Sequence, residues 1–149
     1  MRTGPRSLEV ASSTLERLSR LAREAAPLEA CGVLLGRRED ERLRVHEARA
    51  LTNPEREPGR FRLEPGELAT VLREADSLGL EVLGAWHSHP EGELRPSARD
   101  ARGTPEGWCQ LVVGPEASRG ARAAWRGAKG LEALEILPRE APGGARPCR

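Results

Sequence analysis

The 149-residue chain predicts a single mixed α/β domain, with a central sheet of about six strands, two main helices and a short third one. Two stretches carry apolar residues at helical spacing: Leu15, Leu18, Leu21, Ala22 and Ala25, then Leu68, Val71, Leu72, Ala75 and Leu78. Between and after them lie apolar runs too short for helices, above all Cys31 to Arg37, Leu80 to Trp86 and Trp108 to Val113. The length suffices for one sizeable core and no more.

In chain order, Ser7 to Val10 reads as a first short strand. Ser13-Thr14-Leu15-Glu16 has the pattern of a capping box and predicts the start of the first helix, which Pro27 ends. Glu29 then falls at the junction with the strand Cys31 to Arg37. After the charged turn Glu39-Asp40-Glu41, Leu43 to Glu47 alternates as a half-buried strand does, with His46 on the polar side. Asn53-Pro54 and Pro58-Gly59 mark Thr52 to Arg60 as a flexible loop beside the site, and Phe61 to Leu63 reads as a short strand. Pro65 suits the first turn of the second helix and Gly79 its C-terminal cap. Ser97 opens the short helix, and Thr104 to Gly107 is loop. Trp108 to Val113, Ala121 to Arg126 and Leu131 to Leu137 read as strands. The domain is expected over residues 1–137. Residues 138–149, rich in Pro, Gly and Arg, are expected to form a disordered tail that includes Gly143-Gly144.

Composition excludes several classes. Twenty-four basic residues against 23 acidic ones leave a charge of +1, so charge points to neither nucleic acid nor a membrane surface as partner. Three cysteines, Cys31, Cys109 and Cys148, show no CxxC spacing and an odd count, which argues against a disulfide framework and a cysteine zinc knuckle. No apolar stretch has transmembrane length, and the first residues lack the apolar segment of a secretory signal, so a cytoplasmic location is expected.

Chemistry concentrates in Gly84-Ala85-Trp86-His87-Ser88-His89-Pro90 and Pro96-Ser97-Ala98-Arg99-Asp100. Side chains at i and i+2 of a strand share a face about 7 Å apart, so His87 and His89 can converge on one metal ion. Pro90 cannot donate to a sheet ladder and ends the strand. Asp100 can add an oxygen ligand. Two histidines and one carboxylate leave a fourth tetrahedral position for water, the pattern of a catalytic zinc site. Ser97-x-x-Asp100 also has the form of a helix cap, and the cap fixes the helix that presents Asp100.

Taken with Glu29 ahead of the strand at Cys31, these residues resemble the JAMM (MPN+) zinc metalloproteases, in their stand-alone prokaryotic form. The signature is a glutamate near the start, His-x-His-Pro, a spacer matched here by residues 90–96, and Ser-x-x-Asp. The resemblance spans about residues 7–137. It implies a curved mixed β-sheet flanked by helices, of the cytidine-deaminase-like (MPN/JAMM) fold. A zinc deaminase itself is excluded, because its His-x-Glu and Pro-Cys-x-x-Cys ligands are missing.

The resemblance implies Zn2+ held by His87, His89 and Asp100, with Glu29 as general base for a zinc-bound water and Ser97 as the serine that stabilises the oxyanion. Ser88, between the histidines, points to the other face and reads as a packing residue. The implied reaction is hydrolysis of an amide or isopeptide bond at the C-terminus of a ubiquitin-like or sulfur-carrier protein, or of a peptide. The chain has no room for the large insertions that help eukaryotic members grip ubiquitin. Two alternatives are a zinc amidohydrolase acting on a small molecule and a non-catalytic MPN-type scaffold.

Overall fold

The computed structural model describes residues 4–139. Seven strands and three helices follow in the order β1 (Ser7–Ala11), α1 (Ser12–Ala25), β2 (Cys31–Glu39), β3 (Arg42–Leu51), α2 (Pro65–Ser77), β4 (Glu81–Ser88), α3 (Ala98–Gly103), β5 (Cys109–Val113), β6 (Ala121–Gly127) and β7 (Gly130–Arg139). The strands pair in the order β1-β3-β2-β4-β5-β6-β7, and β7 returns to β1, so the expected curved sheet goes all the way to closure. Pairing is mixed: β1 lies parallel to β3 and β7, β4 is parallel to β5, and the remaining pairs are antiparallel.

Strand β2 lies between two apolar clusters. Leu34 packs with Leu18 and Ala22 of α1 and with Leu8, Trp86 and Leu111. Its neighbours Val33 and Leu35 point the other way, onto Val71 and Ala75 of α2 and Leu80. That two-sided burial is why Cys31 to Gly36 reads as one continuous apolar run instead of alternating. Each fully buried leucine contributes about 1.5–3 kcal/mol. The close approach of β4 to β5 requires glycine at Gly84, where a Cβ would fall 2.1 Å from the Cys109 carbonyl oxygen.

Four local expectations are corrected. Helix α1 starts at Ser12, with Ala11 as its cap residue and no side-chain cap bond, so the Ser13-x-x-Glu16 pattern is not a capping box. Strand β1 runs straight into the helix, and pairing of Ala11 with Arg139 sets the boundary ahead of Ser13. Residues 61–63 join no ladder and stay extended loop. Leu72 and Leu78, expected in the buried stripe of the second helix, are 46 % and 58 % exposed: only Val71 and Ala75 of α2 are buried, and Leu78 lies one residue past its end. Strand β7 continues through Pro138 and Arg139, two residues past the expected boundary at 137. Arg139 is tied there by a 2.9 Å hydrogen bond to the Val45 carbonyl and an ion pair with the buried Glu9. The tail residues 140–149, with Gly143-Gly144 and Cys148, lie outside the described residues.

Candidate active site

Strand β4 delivers both histidines. Ala85 pairs with Val33, which faces α2, so His87 two residues on shares that face. His89 lies one residue past the strand, but its N–H still donates to the Val113 carbonyl at 2.9 Å. That bond prolongs the β4–β5 ladder and keeps His89 on the side of His87. His87 is fully buried and Phe61 stacks on its ring, with centroids 4.5 Å apart and planes at 17°. The loop expected beside the site thus forms one of its walls.

Asp100 comes from α3, and the cap that Ser97-x-x-Asp100 predicts is complete. Ser97 Oγ accepts from the Asp100 N–H at 3.0 Å, and Asp100 Oδ2 accepts from the Ser97 N–H at 2.8 Å. The other end of this six-residue helix is clamped by Arg126, whose guanidinium donates to the carbonyls of Ala101 and Thr104. The Ser97 hydroxyl uses a lone pair in the cap and keeps its own proton for another acceptor.

His87 Nε2, His89 Nε2 and Asp100 Oδ2 form a nearly equilateral triangle with sides of 3.0, 3.1 and 3.2 Å. A tetrahedral ion with bonds of about 2.0–2.1 Å has edges of about 3.3 Å, so three corners match such a site closely. His89 is oriented for it: its Nδ1–H donates to the Glu93 carbonyl, which leaves the Nε2 lone pair facing the triangle. Burial alone would raise the Asp100 carboxyl, but the neighbouring His87 and His89 rings and the N–H of Ser97 hold it well below the usual carboxylate range. It is an anion at neutral pH. Cys31, opposite His87 across the β2–β4 pair, has its thiol pushed up to about 12 by burial and the nearby Glu29. It is not among the grouped donors, which are those of His87, His89 and Asp100.

Glu29 is buried, and its Oε1 has no hydrogen-bond partner among the described residues. It lies near enough to feel both histidines and Asp100, and burial raises its pKa from the usual value against the pull of the two rings. A buried carboxylate oxygen with no partner is costly, and a water held beside the triangle would satisfy it. Two residues fix its backbone. Ser88 Oγ accepts from the Ala30 N–H at 2.8 Å, so the serine read as packing pins the residue next to Glu29. Asn53 Nδ2 donates to the Glu29 carbonyl at 2.9 Å and to that of Arg60 at 3.0 Å, while its Oδ1 accepts from the N–H groups of Glu55 and Arg62. One amide therefore ties Glu29 to the loop that carries Phe61.

Sequence reasoning missed three residues here: Asn53 beyond its turn signal, and Gln110 and Thr104 altogether. Gln110 Oε1 is 2.9 Å from His87 Nδ1, Gln110 Nε2 is 3.1 Å from Thr104 Oγ1, and Thr104 Oγ1 is 2.7 Å from the Asp100 carbonyl. The available signal was a lone amide inside the apolar run Trp108 to Val113. Two clefts flank the site. One of about 460 Å³ lies between Phe61, Leu63, Leu68, Trp108 and Arg99, and the other, of about 360 Å³, runs along Leu21, Leu28, Leu51 and Glu29.

A closed mixed sheet that places a His-x-His pair, a capped aspartate and a buried glutamate around one metal-sized gap defines a JAB/MPN-type domain. The chain belongs to that family: residues 11–127 match the prokaryotic homologs of the JAB domain. It is 33 % identical over 115 residues to a desampylase of Haloferax volcanii, covering 73 % of this chain and 81 % of that one. It is 37 % identical over 81 residues to the CysO-cysteine peptidase of Mycobacterium tuberculosis, covering 54 % of each. A solution structure of a Desulfitobacterium hafniense protein superposes with a TM-score of 0.80 at 29 % identity, over 90 % of this chain and 94 % of that one. The JAB1/MPN domain protein from Archaeoglobus fulgidus shares the fold at a TM-score of 0.58 and 20 % identity, over 92 % of this chain and all of that one. No helix among the described residues is long and apolar enough to cross a membrane.

Proposed function

We propose that the protein is a zinc-dependent peptidase or isopeptidase that hydrolyses an amide bond at the C-terminus of a ubiquitin-like or sulfur-carrier protein. The observation that carries this reading is the three-donor triangle beside a buried glutamate oxygen with no partner. Desampylase and CysO-cysteine peptidase, the names of two relatives, support the substrate class. Clefts on either side of the site give a flexible C-terminal segment and its leaving group somewhere to lie.

His87, His89 and Asp100 would hold the ion. When bound, zinc polarises a carbonyl and lowers the pKa of water towards about 7. Glu29 takes a proton from the attacking water and returns it to the leaving nitrogen. Its raised pKa suits the first half of that task, because a carboxylate that holds a proton more firmly than an exposed one is the stronger base. Ser97 points its free hydroxyl proton at the oxygen on which negative charge develops. Asn53 and Ser88 keep Glu29 from drifting away from the reacting atoms.

The test is hydrolysis of a diglycine-ended carrier protein joined to a lysine side chain, set beside a panel of small amides, with zinc-loaded protein. Cleavage of the conjugate with negligible action on the small amides is expected. The reverse preference would make the protein a small-molecule amidohydrolase, and no hydrolysis of either would leave a scaffold.

A further inference from the structure

We infer that Gln110 and Thr104 form a relay of fixed polarity that sets the tautomer of His87, which makes Gln110 a positioning residue for the metal. The polarity follows from one end. The Asp100 carbonyl can only accept, so Thr104 Oγ1 must spend its single proton on it at 2.7 Å. Thr104 Oγ1 can then only accept from Gln110, so the Gln110 atom at 3.1 Å is its NH2 group. The amide oxygen therefore faces His87, and at 2.9 Å the His87 Nδ1 must carry the proton. The Nε2 lone pair is left pointing into the triangle. All four groups are buried, so water offers no competing partner.

The same chain of bonds joins two of the three donors. It starts on the His87 ring in β4, crosses to Gln110 in β5 and ends on the backbone of Asp100 in α3. His89 needs no relay, because a backbone carbonyl accepts from its Nδ1 directly. His87 lies within β4, where the backbone carbonyls are spent in ladders on both sides, so a side-chain acceptor has to be supplied. Partners of metal-bound histidines typically change affinity 10–100-fold when removed.

The metal part of this inference rests on the proposed metal site; the tautomer does not. Zinc affinity would be measured by chelator competition for the wild type, Gln110→Leu, Gln110→Glu, Thr104→Val and Thr104→Ser, with the melting temperature of each zinc-free form. Nitrogen-15 NMR of the His87 ring would be recorded on wild type and Gln110→Leu at mildly alkaline pH. The expected result is a wild-type Nδ1–H tautomer and a zinc affinity about 10–100-fold weaker in Gln110→Leu. Thr104→Val should weaken binding less, Thr104→Ser should stay near wild type, and Gln110→Glu should fall between wild type and Gln110→Leu, since a carboxylate still accepts from Nδ1 but cannot donate to Thr104 Oγ1. Wild-type affinity in a folded Gln110→Leu, or an Nε2–H tautomer in the zinc-free wild type, would overturn the relay. Should Gln110→Leu not fold, Thr104→Val and the wild-type NMR spectrum decide. A wild type with the Nδ1–H tautomer but no zinc affinity would contradict the metal site instead and leave the tautomer standing.

Discussion

Two of the shifted groups at this site, His89 and Glu29, have measurable consequences. His89 would be lowered by burial, but the hydrogen bonds to Asp100 and Glu93 and the charges of Asp100 and Glu29 raise it overall. A proton on its Nε2 competes with a metal ion for the same lone pair. Zinc binding should therefore weaken as pH falls, and the loss should begin above the ordinary imidazole value of about 6.5. Zinc titrations across a pH series check this; a flat affinity down to pH values near that of an ordinary carboxylate, about 4, would contradict it. Glu29 is raised chiefly by burial, so the folded state prefers it protonated. Stability from this group is present below its unfolded pKa, about 4.3, and is lost as pH rises through the higher folded value. Zinc-free Glu29→Gln should thus melt above the zinc-free wild type at neutral pH, and the gap should close on acidification. Thermal melts of both proteins at neutral and acid pH test the sign.

At the scale of elements, α3 is where structure and chemistry share the same atoms. Asp100 Oδ2 belongs both to the capping box and to the triangle, so the cap aims the proposed ligand. Ser97→Ala removes a cap worth about 1 kcal/mol and also the hydroxyl proposed to meet the oxyanion, whose loss costs roughly 10²–10³-fold in turnover. Ser97→Thr keeps both groups and should stay near wild type. Melting temperature and hydrolysis rate, measured on the two variants, separate cap from catalysis: a stability loss without a rate loss would leave Ser97 as a cap alone. The chain is readable here because everything is local. His87 and His89 share a face by strand parity, and Ser97 with Asp100 form a cap by helix spacing. Glu29 is different. It reaches the site through the pairing of β2 with β4, which local spacing cannot show, and only the resemblance to a known family singled it out. Gln110 and Thr104 depend on a parallel pair and a loop, and Asn53 on a folded-back segment, so no periodic signal marks their contacts. Leu72 and Leu78 fail in the opposite sense: they sit at helical spacing, yet α2 buries only a narrow stripe.

For the whole molecule, the apolar packing and the donor triangle are built from different residues. Both apolar clusters are built from α1, α2 and the strands, and neither uses the three donor residues. Removing zinc with a chelator should leave a folded protein with a cooperative melt. At free zinc 100-fold over Kd the ion adds about 2.7 kcal/mol, which lowers the melting temperature by roughly 5–10 °C on removal. A random-coil circular-dichroism spectrum after chelation would recast the ion as structural. The architecture itself was legible as α/β from two helical stripes and several apolar runs. Its closure was not, because closure rests on β7 reaching β1 from the far end of the chain, with Pro138 and Arg139 inside the pairing.

The proposed division of labour between three ligands and one base is tested most directly by amide hydrolysis in Glu29→Gln, with zinc content determined on the same preparation. Glutamine keeps the shape of the side chain but cannot accept the proton. The expected result is one zinc per chain with turnover lowered roughly 10²–10⁴-fold. Wild-type turnover with zinc bound would make Glu29 a bystander, and loss of zinc together with activity would make it a ligand; either result contradicts its assignment as the base.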